Sequence, residues 1–210
     1  MKRLKLYESR DKMIDLISDN YSMLQGLSAF GIRLGFGDKT VDEVCSEQGV
    51  DCHTFLTVVN FLINGYAPKG TDERISVATL LAYLRASHRY FLDYQLPSIR
   101  RKLEEALGIG DNLAQLIMRL FDEYAHDIHL HMKYEEKTLF PYVEALLRGE
   151  QMQNYNIDIF SKHHGDTTSK LQELKSIIIK YLPYDGQSNN MLTSSLYDLY
   201  NNEEWLSNHS

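Results

Sequence analysis

HMKYEEKTLFPY (131–142) sets an imidazole and a carboxylate, His131 and Glu135, one helical turn apart. It then runs through Leu139 and Phe140 into Pro141 and Tyr142. The surrounding residues say which way that pair faces. Steps of three and four trace an apolar stripe through Leu113, Ile117, Leu120, Tyr124 and Ile128. His131 and Glu135 continue it, followed by Leu139, Tyr142 and Leu146. A stripe of this period is the buried face of an amphipathic helix. Both polar residues should therefore point into a core, where an isolated carboxylate is very costly. His129 lies roughly 200° from His131 and His126 roughly 140° from it, at ~100° per residue. Those two should face solvent or the bundle edge.

The same device recurs on three more helices. Val77, Leu81, Leu84, His88, Leu92, Ile99 and Leu103 form a stripe with His88 inside it. Ile157, Phe160, His164, Leu171, Leu174 and Ile178 form another. His163 is the alternative there, but its partner seven residues on is Lys170, so His164 is placed inward. Leu192, Leu196, Leu199 and Leu206 lead to His209. A single inward histidine is ordinarily a core residue bonded to a carbonyl or a tyrosine. Four of them plus an inward glutamate would burden a core with five polar groups, and a metal satisfies all of them together. Imidazole and carboxylate without thiolate suit iron, manganese or zinc.

The rest of the chain fits an all-α protein. It has 210 residues with only four prolines and twelve glycines, and alternating strand patterns are scarce. Helices are expected over roughly 73–107, 111–148, 154–182 and from 189 onward. Gly108, Gly149 and Pro183 supply stop signals and Asp111 a start. Four long helices with short connections form an up-down four-helix bundle over 67–210. Residues 1–66 form a small helical N-terminal domain, and GYAPKGTD (65–72) is the linker.

Within the N-terminal part, Thr40 and Glu43 form a capping box and Gly49 ends that helix. The outline is helix-turn-helix. Yet between Asp38 and Tyr66 the only Lys or Arg is Lys39, among five acidic residues, and phosphate contact needs positive charge. The net charge of −7 also argues against a nucleic-acid surface. No apolar run reaches the ~18 residues of a membrane span, and the N-terminus lacks a signal-peptide core. Two cysteines, Cys45 and Cys52, do not suggest a disulfide scaffold. A reducing cytoplasm fits best. No catalytic triad, nucleophilic Cys-His arrangement or phosphate loop is present, so no catalytic residue is assigned.

HMKYEEKTLFPYVEAL resembles the H-x-x-x-E-E-x-x-LFP segment of hemerythrin-like proteins, in particular the repair-of-iron-centres (RIC) family. LRASHRYFLDYQLPSIRRKL, KHHGDTTSKLQELK and EEWLSNHS resemble its first, third and fourth ligand helices in order, and FGIRLGFGDKTVDEVC its N-terminal domain. The resemblance implies two non-heme irons held by His88, His131, His164 and His209, with Glu135 bridging. Tyr124 and Glu136 lie near the motif and are candidate supporting residues. O2 or NO is the implied ligand, and a homodimer is an open assembly.

The chain departs from the family pattern in two places. Leu34 and Gly35 stand where the family carries a Cys-Cys pair. The fourth-helix motif also wants a Glu four residues after His209, beyond Ser210. Hemerythrin-like domains also occur ahead of LuxR-type DNA-binding domains. The expectation is thus a sensory input domain that touches DNA only through a further C-terminal domain. Iron–sulfur cluster repair is the alternative, and a metal-free helical interaction domain is the third.

Overall fold

A computed structural model of the chain describes residues 5–66, 74–108, 112–150, 165–182 and 189–209. Among the described residues the protein is all-helical. The one sheet-type pairing there is an isolated antiparallel bridge between Lys12 and Thr40. The chain forms two compact units, Met1–Tyr90 and Phe91–Ser210. The sequence suggested a boundary in the 65–72 segment, of which residues 67–72 lie outside the described set.

The first unit contains α1 (Met13–Asp19), α2 (Met23–Ala29), α3 (Val41–Gln48), α4 (Cys52–Asn64) and α5 (Val77–Tyr90). Its helix ends follow from local chemistry. The Thr40 hydroxyl accepts from the Glu43 amide at 3.3 Å, and the Thr40 amide donates to the Glu43 carboxylate at 2.8 Å, the reciprocal cap expected for α3. Gly49, at φ 70°, ends α3 in the left-handed region that glycine enters without strain. Asp51 caps α4 by accepting from the Thr54 amide at 2.8 Å.

The core of this unit is Met13, Leu16, Leu27, Val41, Val44, Cys45, Phe55 and Val59, all essentially without exposure. Buried Asn60 accepts from the Tyr7 amide at 2.8 Å and donates to the Tyr7 carbonyl at 3.0 Å, which stitches the leading segment onto α4. Tyr83 of α5 stacks on Phe30 at 4.5 Å, and Phe30 meets Phe55 edge-on at 5.2 Å. Thr40→Ala removes half of the α3 cap and should cost about 1 kcal/mol in urea unfolding.

The Asp51 carboxyl is held below its ordinary value of 3.8 by hydrogen bonds from the Thr54 hydroxyl and amide. A depressed carboxyl stabilises the fold above its unfolded value and loses that contribution as pH falls through the folded one. Acid titration of wild type should therefore show a stability loss below about pH 4 that Asp51→Asn reduces.

The second unit contains π1 (Phe91–Gln95), α6 (Leu96–Leu107), α7 (Asn112–Tyr134), π2 (Glu135–Leu139), α8 (Phe140–Leu147), α9 (Gly165–Tyr181) and α10 (Asn190–His209). α6 packs on α7 and α10, and α9 packs on the same two, which closes a four-helix bundle. Its core is built from Ile99 and Leu103 of α6, Ile117, Phe121, Tyr124 and Ile128 of α7, Leu171, Leu174 and Ile178 of α9, and Leu199 of α10. Phe91 stacks on Trp205 at 4.7 Å. Lys102 ties α6 to Asp198 of α10 at 2.6 Å, and Arg100 ties it to Asp122 of α7 at 2.8 Å. Asn189 opens α10 by accepting from the Leu192 amide at 2.9 Å.

Two long helices carry a wide turn that the periodicity did not anticipate. Helix continues unbroken from α5 through π1 to α6, and from α7 through π2 to α8. Each π segment is followed by a residue and then a proline, Pro97 and Pro141. Proline donates no amide hydrogen, and its ring clashes with the carbonyl four residues back. A π turn accommodates this by bonding one residue farther, and the Phe140 amide donates to the Glu135 carbonyl. The extra residue advances the phase of everything downstream. The expected stripe of Leu139, Tyr142 and Leu146 is therefore corrected. Phe140 and Ala145 are the buried positions, and Leu146 is 50% exposed.

Candidate metal centre

The heart of the candidate site is the junction of α7 with π2. His131 is the fourth-last residue of α7 and Glu135 the first of π2. Their i, i+4 spacing on a continuous helix puts both side chains on one face. The His131 Nε2 lies 3.4 Å from the Glu135 Oε1, with the side chains 14% and 7% exposed. The sequence stripe thus identified their inward face correctly up to the π turn. His126 and His129 are exposed, as expected.

His88 of α5 is fully buried, beside Ser87 at 2% exposure. It belongs to the first compact unit, whereas His131 and Glu135 belong to the second. His163 and His164 lie outside the described residues. The α9 residues that shared a stripe with His164, namely Leu171, Leu174 and Ile178, are buried. His209 ends α10, and its side chain also lies outside the description. Among the described residues no three His, Cys, Asp or Glu side chains gather as a metal-holding group.

The donors that are described suit a hard or borderline cation. A carboxylate with so little exposure is tolerable only beside positive charge or strong donors. A carboxylate and an imidazole sharing one buried face offer oxygen and nitrogen, and no thiolate, to such a charge.

The profile of the Hemerythrin HHE cation binding domain matches residues 79–210. The chain belongs to the hemerythrin family. No protein in a comparison with curated sequences matches it.

The core of this hemerythrin domain is more polar than its leucine and isoleucine pattern suggested. Lys175 of α9 is 5% exposed and pairs with Glu203 of α10, while its ammonium sits 4.0 Å from the centre of the Tyr200 ring. Asn202, at 2%, and Ser195, at 0%, lie on the buried face of α10. Gln95 closes π1 at 8% exposure. Sequence reasoning traced α10 through its leucines alone and passed over Asn202. The signal was available, since Asn202 stands seven residues before His209 and three after Leu199.

Tyr124 is fully buried, and its hydroxyl has no hydrogen-bond partner among the described residues. Burial pushes its phenol well above the ordinary value, and the charge of Glu203 adds to this. Glu136, the other supporting candidate, is exposed. Tyr124→Phe should leave stability unchanged or raise it by about 1 kcal/mol, because it removes a buried polar atom that gains nothing here. The same variant separates two roles. A core tyrosine leaves the metal spectrum of the loaded protein unchanged, and a tyrosine supporting the metal shifts it.

Where the iron-centre repair pattern has its thiol pair, Leu34 is 69% exposed and Gly35 adopts φ 94°. No helix among the described residues is long and apolar enough to cross a membrane.

Proposed function

We propose that this chain is a non-heme di-iron protein whose bundle binds O2 or NO and serves as the input domain of a regulatory protein. The observation that carries the reading is the buried His131–Glu135 pair inside the family match, 3.4 Å apart at a π turn. π turns inside α-helices are frequent at functional sites.

His88, His131, His164 and His209 would supply imidazole nitrogen, and Glu135 a bridging carboxylate. Iron would contribute redox chemistry and an open position for a diatomic gas. The chain's own residues do the rest. Ile128 and Met132 flank the pair on the buried face of α7, at 3% and 0% exposure, and keep water off it. The Phe140 amide bonded to the Glu135 carbonyl holds the backbone from which the carboxylate projects.

The test is spectroscopic. The protein is loaded anaerobically with Fe(II) and then exposed separately to NO and to O2. New visible absorption that is stoichiometric with chain supports the reading. Silence with both gases despite bound iron excludes gas binding.

A second reading, donation of iron to damaged iron–sulfur clusters, is favoured by the separate N-terminal unit. The exposed Leu34 at the expected thiol position weighs against it. Recovery of a damaged cluster enzyme with the iron-loaded protein, and none with iron alone, would bring this reading forward.

A further inference from the structure

The helix α10 closes the bundle against α6 and α9, yet little of its grip is apolar. Leu192, Leu199 and Leu206 stand seven residues apart, and Ser195 and Asn202 stand seven apart between them. The resulting steps of three and four put both sets on one seam. Ser195, Leu199 and Asn202 are its buried members, at 0%, 0% and 2% exposure. Leu192 and Leu206 are only partly buried. Among the described residues, therefore, two of the three buried side chains of α10 are polar. By contrast, α7 buries Ile117, Phe121, Tyr124, Ile128 and Met132.

The Ser195 hydroxyl donates to the Met191 carbonyl at 2.9 Å, one turn back on its own helix. The Asn202 amide nitrogen has no hydrogen-bond partner among the described residues. A buried donor left unmet weakens the state that buries it. Apart from Leu199 and the Trp205 stack on Phe91, clasps made by polar side chains fasten α10. The Lys102 ammonium of α6 meets the Asp198 carboxylate at 2.6 Å and the Ser194 hydroxyl at 3.1 Å. The Asn189 side chain donates to the Ala106 carbonyl at 2.9 Å. Lys175 of α9 pairs with Glu203 and lies over the Tyr200 ring.

We propose that α10 is the releasable helix of the bundle, undocking as one unit from α6 and α9 while α6, α7 and α9 stay packed.

The other three helices keep an apolar core without it. Ile99 and Leu103 of α6, Ile117 and Phe121 of α7, and Leu171, Leu174 and Ile178 of α9 belong to one buried cluster. Arg100 still ties α6 to Asp122 of α7 at 2.8 Å, and Lys170 of α9 still meets Asp127 of α7. An element with few buried apolar contacts opens at a lower free energy than the whole domain. The Lys102–Asp198 pair has side chains 30% and 20% exposed, so salt weakens it.

Release of α10 stands apart from iron, but its control by iron rests on the proposed di-iron reading. His209 ends the same helix. A centre held by His131, Glu135 and His209 would pin α10 to α7, so loading the site would suppress release.

The test is amide hydrogen exchange read by mass spectrometry on the full chain, first treated with chelator and then loaded with Fe(II). Without metal, peptides from 190–203 should exchange about tenfold or more faster than those from 117–132. Asn202→Leu puts an apolar side chain in place of the unmet donor. It should slow exchange in α10 by about tenfold and leave α7 unchanged. Should that variant fail to fold, high salt takes its place and should speed exchange in α10 alone. Equal protection of α10 and α7 without metal would overturn the proposal, as would an α7 that opens whenever α10 does. Slower exchange in α10 on loading with Fe(II) supports the control by iron. Fast exchange with and without bound iron would support release and overturn His209 as a ligand.

Discussion

Glu135→Ala should strip the protein of most of its metal without unfolding it. Loss of outer residues that merely orient ligands costs metal sites about 10–100-fold in affinity. If Glu135 bridges the metal as proposed, its loss should exceed that range, and the variant should emerge from gel filtration with little bound iron. His131→Ala should behave in the same way. His129→Ala is the control, because His129 is exposed on the same helix and should change nothing. Metal removes itself from the comparison if folding is read on chelator-treated protein. There both variants should match or exceed wild type, since each takes a polar group out of a nearly water-free position. The affinity difference should then reappear as a loss of stabilisation by added Fe(II). A ligand at a hundredfold excess over its dissociation constant stabilises by about 2.7 kcal/mol. Unchanged metal content in both variants would show that Glu135 and His131 do not hold the metal.

The largest stability effect away from the metal should come from Glu203. Its carboxylate faces the Lys175 ammonium, whose side chain is only 6% exposed. Among the described residues, Glu203→Ala leaves that ammonium buried with only the Tyr200 ring for compensation. Breaking one side of a buried pair costs about 3–5 kcal/mol. The lower end applies here, because the Glu203 side chain is 26% exposed and Tyr200 stays in place. In a bundle of this size about 3 kcal/mol corresponds to a Tm lower by roughly 10 °C. The double variant Lys175→Met with Glu203→Leu should recover most of the loss, since an apolar pair of similar volume fills the same space. A double variant no better than Glu203→Ala would mean that the pair holds α9 and α10 in register rather than merely neutralising a charge.

The helices and their inward faces were legible because period and stop signals agreed. Leu113 through Glu135 follow one stripe, and Gly108, Gly149 and the Thr40–Glu43 box end or begin helices where expected. The π turns were not legible, because the stripe was continued at 3.6 residues per turn past Pro141. The proline was the physical clue, and the shift of the buried position from Leu139 to Phe140 is its consequence. Lys175 and Asn202 were passed over because residues with a polar head are usually assigned to solvent. In α9 and α10 the buried face includes them.

The central claim is that this bundle holds two irons through His131, Glu135 and their partners. The most direct measurement is the iron content of the full chain, reconstituted anaerobically with Fe(II), desalted and read by plasma mass spectrometry, with an optical spectrum before and after O2. The account predicts about two irons per chain, as a carboxylate-bridged bundle site requires, and new near-ultraviolet absorption on oxidation. No iron retained, with a spectrum indifferent to O2, would contradict it.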